Sequence, residues 1–132
     1  MKTIVATYIF TAIVFLGLDA VWLRIMSSRL YKPALQGLLA ETVRLAPALL
    51  FYLLYIAGIV VFAVMPAATP GQALWRGAGL GLVAYATYDL TNQATLRVWP
   101  VMVTVADLTW GMLVTGIAAG AAFAACRVLL LR

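Results

Sequence analysis

Four oily runs, each about 20 residues long, dominate this chain, and about 20 apolar residues is what a helix needs to cross ~30 Å of hydrocarbon. The first, residues 3–23, reads TIVATYIFTAIVFLGLDAVWL between Lys2 and Arg24. The second, residues 45–65, reads LAPALLFYLLYIAGIVVFAVM between Arg44 and Pro66. Pro47 falls in its first turn, where a missing N–H does little harm. The third, residues 73–92, ALWRGAGLGLVAYATYDLTN, is the most polar, holding Arg76 and Asp89 near its ends. The fourth, residues 101–125, VMVTVADLTWGMLVTGIAAGAAFAA, begins after Pro100 and stops before Cys126 and Arg127. Backbone groups in lipid must be paired within their own segment, so each run is expected to be helical. The fold expected is all-α: a polytopic membrane protein with four transmembrane helices in an up-down bundle, a single integral membrane domain over residues 1–132.

Composition agrees. Of 132 residues, 66% are hydrophobic and only 10% charged, against about 45–50% and about 25% in soluble domains. The net charge of +5 is spread over the ends of the oily runs, which suits register with lipid head groups rather than a basic patch for nucleic acid. There is no histidine, which excludes Ser–His nucleophiles, haem ligation through imidazole and histidine-rich zinc or di-iron sites. No cofactor is required by the sequence. The single Cys126 forms no internal disulfide and leaves the redox compartment open. The first run exceeds a signal-peptide core and no small-x-small cleavage pattern follows closely, so it is expected to be retained.

The connection 24–44, RIMSSRLYKPALQGLLAETVR, carries an apolar stripe of Leu30, Leu35, Leu38 and Leu39 and is expected to lie in the interface as an amphipathic piece. The connection 66–72, PAATPGQ, reads as a tight turn. One face of the membrane then holds Arg24, Arg29, Lys32, Arg44 and Arg97; the other holds Lys2, Arg76, Arg127 and Arg132. Four charges crowded into one short loop put 24–44 on the cytoplasmic side under the positive-inside rule.

Three of the four acids lie inside the runs. Asp19 is about 7 Å below the exit at Arg24, Asp89 about 5 Å below Asn92, and Asp107 about 10 Å past Pro100, at 1.5 Å per residue. All three fall in one layer of the membrane. A lipid-facing aspartate is costly, so the side chains are expected to point inward or into a wet pocket, where intramembrane acids mark function. Tyr85, Asp89 and Asn92 share one helical stripe with Tyr88 beside it, Thr104 and Asp107 share another, and Trp22 and Trp110 each follow an aspartate by one turn. Thr95, Arg97 and Trp99 lie in the loop over the same layer. The plainer reading is that Trp22, Trp75, Tyr88 and Trp99 form interfacial belts and that Thr and Asn are interhelical glue. The spacings Gly77-x-x-x-Gly81 and Gly116-x-x-x-Gly120-x-x-x-Ala124 read as close helix contacts, within the chain or in a homo-oligomer.

The strings FLGLDAVWL (15–23), LLFYLLYIAGIVVFAVMP (49–66) and AYATYDLTNQATLRVWPVMVTVADLTWG (84–111) resemble a bacterial inner-membrane family known as domain of unknown function 2177. The resemblance implies a four-helix, multi-pass protein of the bacterial cytoplasmic membrane and carries no established activity. Its motif falls on Asp19, Trp22, Tyr88, Asp89, Asn92, Thr95, Trp99, Pro100, Thr104, Asp107 and Trp110.

The function expected is an intramembrane, carboxylate-lined polar pocket that binds or modifies a lipid or amphiphile. Asp19, Asp89 and Asp107 are its candidate catalytic residues. Trp22, Tyr85, Tyr88, Asn92, Thr95, Trp99, Thr104 and Trp110 are its candidate ligand-binding residues. If a metal takes part, the same three carboxylates would hold a hard divalent cation such as Mg²⁺, since oxygen ligands suit such ions. The competing expectations are a small proton-coupled transporter and a non-catalytic scaffold or subunit whose polar layer only fixes helix packing.

Overall fold

In the computed structural model, residues 1–130 are described. Arg132, assigned to one membrane face above, lies outside them. Four long helices make up the described residues: α1 (Lys2–Ala34), α2 (Leu45–Val64), α3 (Pro70–Thr95) and α4 (Val101–Leu130). No strand occurs among the described residues.

By length and composition α1, α2 and α4 can each cross a membrane. At 26 residues α3 is long enough, but its glycines, hydroxyls, Arg76 and Asp89 leave it outside the apolar class that the other three meet. The expectation of four spans therefore holds for three helices on these grounds and not for the third run.

The surface is the inverse of a soluble protein's. Ile4, Val5, Ile9 and Ile13 on α1, Leu49, Leu50, Leu53 and Leu54 on α2, and Val101, Met102 and Val105 on α4 are all exposed. The inward stripe of α1 is instead Thr7, Thr11, Phe15 and Asp19, spaced four apart. The hydroxyls of Thr7 and Thr11 donate to the carbonyls of Thr3 and Thr7, both at 2.7 Å, so neither is orphaned. Phe15, Ile56, Ile59, Ala63, Val114, Ala118 and Ala122 form the centre of the core.

The region 24–44 opens as a continuation of the first helix. α1 does not stop at its first oily run but continues to Ala34 through one widened turn, Ser27–Tyr31, where the Lys32 N–H reaches back to the Ser27 carbonyl. Pro33 supplies a reason: its ring would meet the carbonyl four residues earlier in a regular helix, and a turn with one extra residue relieves such a conflict. The chain then reverses at Gly37, whose φ of 83° suits glycine. Of its leucine stripe Leu35 is buried, whereas Leu38 and Leu39 are exposed.

Helix α3 begins three residues before the third oily run, because TPGQ is a start signal. The Thr69 hydroxyl accepts from the Gln72 N–H at 3.1 Å, and the Gln72 side chain accepts from the Ala68 N–H at 2.9 Å, a close variant of the capping box. Pro70 takes the first helical position, where proline is preorganised.

Both glycine ladders are used within the chain, in the tight contact of α3 with α4. A Cβ on Gly77 would sit 2.6 Å from the Thr115 carbonyl oxygen, and one on Gly81 would collide with the Gly111 carbonyl. Gly116 and Gly120 accept the backbone and side chain of Leu74 in return. In a medium with no hydrophobic drive between helices, such close approach is what holds a pair together. Gly79, on the same helix, faces open space. Gly81→Ala is therefore expected to cost about 1–3 kcal/mol, as overpacking of a tight contact does. Gly79→Ala should leave stability unchanged or slightly improved. Thermal unfolding of both variants in detergent, followed by circular dichroism, checks the contrast.

Candidate functional site

The polar layer is built by an exchange between α1 and α4. Each carries the spacing Asp-x-x-Trp: Asp19 with Trp22, and Asp107 with Trp110. The two indoles stack, ring centres 4.6 Å apart and planes 5° from parallel. The Trp110 Nε1–H donates to Asp19 Oδ1 at 3.1 Å, so the tryptophan of α4 serves the aspartate of α1. The reverse link runs through Tyr31 in the widened turn. The Trp22 Nε1–H donates to the Tyr31 oxygen at 2.9 Å, and the Tyr31 hydroxyl donates to Asp107 Oδ1 in a short hydrogen bond. From α2, the Tyr52 hydroxyl donates to Asp19 Oδ2 at 2.6 Å. These four donors are neutral phenols and indoles.

Asp89 is different. It is 0% exposed, against 8% for Asp19 and 7% for Asp107, and no N–H or hydroxyl of the described residues reaches either of its oxygens. Its carboxyl lies against that of Asp107.

Beside this layer lies a cavity of about 780 Å³. Asp19 and Asp107 reach it from α1 and α4, three tryptophans (Trp22, Trp99, Trp110) and four tyrosines (Tyr31, Tyr52, Tyr85, Tyr88) line it, and Phe51, Leu35 and Leu39 add apolar surface. Tyr85 is placed by Gly111, because a Cβ there would overlap its ring. Tyr88 meets Trp99 edge to face at 5.7 Å. Trp99 is anchored by its Nε1–H to the Thr104 hydroxyl at 3.1 Å, which donates to Gln93 Oε1 at 2.8 Å. The 96–100 loop is thereby pinned to the ends of the helices it joins.

A family model described as "predicted membrane protein (DUF2177)" matches residues 4–124. The chain belongs to this family. No curated protein and no solved structure matches it. The apolar helices and the family agree on a membrane protein, and family membership assigns no activity.

Of the residues singled out from the sequence, Asp19, Trp22, Tyr85, Tyr88, Trp99, Asp107 and Trp110 stand together on the cavity. Asp89, Asn92, Thr95 and Thr104 do not line it. Asp89 lies behind Asp107. Thr95 is exposed and spends its hydroxyl on the Thr91 carbonyl at 2.7 Å. Thr104 is buried as the anchor of Trp99. The three acids do not make one ligand set: no group of three or more His, Cys, Asp or Glu that could hold a metal ion occurs among the described residues. Phenols and indole already occupy both oxygens of Asp19 and one of Asp107.

Tyr31 and Tyr52, the phenols that serve the two cavity carboxylates, are absent from the sequence-based set. Tyr52 has a readable signal, since a phenol in an otherwise apolar run needs an acceptor for its hydroxyl. Tyr31 has none, because its position depends on the irregular turn. Tyr31→Phe leaves Asp107 short of a donor and is expected to cost about 1–3 kcal/mol, the penalty for an unsatisfied buried acceptor. Amide hydrogen exchange at Lys32, Ala34 and Leu35 should accelerate, because the phenol also ties the end of α1 to α4. Unchanged protection there would mean that this tie does not hold the helix end.

Proposed function

We propose that this protein spans the cytoplasmic membrane of a bacterium four times, up and down, and holds one lipid or other amphiphile in the aromatic cavity, the polar part of the ligand directed at Asp19 and Asp107. The carrying observation is the cavity itself. Its volume lies within the ~300–1,000 Å³ range of ligand pockets, which are mostly apolar with few convergent polar groups. Packing a structural polar network needs no such space beside it.

Binding is favoured over chemistry. The carboxylates that reach the cavity already accept from Tyr31, Tyr52 and Trp110, an arrangement that fixes them in place rather than leaving a free base aimed at a substrate. Asp89, whose oxygens meet no donor among the described residues, does not line the cavity.

Four spans place the 35–44 turn and the 96–100 loop on one side and the 65–69 turn on the other. In a Cys126→Ala background, a cysteine at Gln36 should be labelled by an impermeant maleimide only from the cytoplasmic side, and one at Ala68 only from outside. Labelling of both from the same side would remove the fourth crossing.

The cavity is tested by native mass spectrometry of protein released from lipid nanodiscs. One retained amphiphile per chain is expected, and Ala84→Phe, which places a ring on the cavity wall, should reduce its occupancy several-fold while the helical signal persists. A protein that retains nothing specific, or retains it equally in both forms, removes the binding reading.

A further inference from the structure

Resting on that binding reading, we infer that the amphiphile carries a cationic group: an organic ammonium head, held by the carboxylates and the aromatic rings, on an apolar body. The charge balance of the cavity points to this. Asp19 and Asp107 both reach it, yet no lysine or arginine lines it and the chain has no histidine. The basic residues of this end, Arg24, Arg29, Lys32, Arg44 and Arg97, are all exposed. Phenol and indole donors fill lone pairs on the carboxylates but bring no positive charge. Charge on carboxylates taken out of water is costly unless it is offset; no side chain lining the cavity is cationic, so a cationic occupant is the group that would offset it there.

The walls favour the same chemistry. Tryptophan and tyrosine faces attract organic cations through the ring quadrupole, and rings gathered around a quaternary ammonium are a recurrent way of binding it. Trp99 is held against Tyr88 and pinned through Thr104, while Trp22 and Trp110 are fixed as a stack. The rings are thus set before a ligand arrives, which lowers the ordering cost of binding. An anionic head group would face two carboxylates with no cation to offset them, and an uncharged one would gain hydrogen bonds alone.

The test uses the full chain carrying Trp75→Phe, so that the three remaining tryptophans all report from the cavity. Their fluorescence is titrated in decyl maltoside micelles with three ligands sharing one alkyl chain: dodecyltrimethylammonium, uncharged dodecanol and dodecyl sulfate. The cation is expected to bind at least about ten-fold more tightly than the alcohol, a difference of ~1.4 kcal/mol, with the sulfate weakest. Asp19→Asn with Asp107→Asn should bring the cation within about two-fold of the alcohol, since both amides keep an acceptor oxygen but lose the charge. Equal binding of all three chains, or preference for the sulfate, overturns the inference and leaves the pocket standing. Failure of every chain to bind removes the pocket as well. The ranking on the undoubled protein decides the question even if the double variant does not fold. Displacement of the cation by added phosphatidylethanolamine or phosphatidylcholine assigns the site to an amine-headed lipid. Binding without such displacement assigns it to a free alkylammonium compound.

Discussion

A carboxylate buried among helices in lipid has no water to fall back on, and the upper half of this bundle is organised around supplying donors to two of them. α1 and α4 each contribute an acid and an aromatic donor, and each acid is served from another helix. Neither helix can rotate or slide without stranding the other's carboxylate. The stacked pair of Trp22 and Trp110 locks the crossing point, and Tyr52 draws in α2 through Asp19. Specificity of helix orientation therefore comes from polar pairing at one end of the bundle. At the other end it comes from apolar packing and small residues.

That division of labour explains how the parts differ. The α3–α4 contact depends on what is missing, with Gly77, Gly81, Gly111 and Gly116 removing side chains so that backbones and a tyrosine ring can approach. The α1–α4 contact depends on what is present. One face of α4 meets a helix at backbone distance while another presents Asp107 and Trp110 to α1, which makes it the central strut of the fold. The cavity opens where these two modes of packing diverge, lined from α3 by Tyr85 and Tyr88 and from α1 by Asp19 and Trp22.

Much of this was legible in the sequence for a physical reason. Charges and prolines close the oily runs, so helix positions follow from the cost of leaving backbone or charge in hydrocarbon. The two Asp-x-x-Trp spacings put an acid and a donor one turn apart on one face, and the arithmetic of rise per residue set them at a common depth. What the sequence could not display was pairing across helices. Nothing local says that Trp110 serves Asp19 rather than Asp107, or that Thr104 anchors a tryptophan instead of facing a ligand. The leucine stripe of 24–44 reads only as an amphipathic segment, and the widened turn that carries Tyr31 inward has no composition of its own.

That turn has a consequence for how this part of the chain can vary. A π turn holds one residue more than the regular helix around it, and each residue advances an α-helix by about 100°. Losing a residue of α1 before Tyr31 while the widened turn persists would swing every following side chain a quarter-turn or more, carrying the phenol off Asp107. Replacing a side chain in the segment alters one contact, whereas changing its length re-phases the whole end of the helix. The count of residues there is as much a part of the site as their identity.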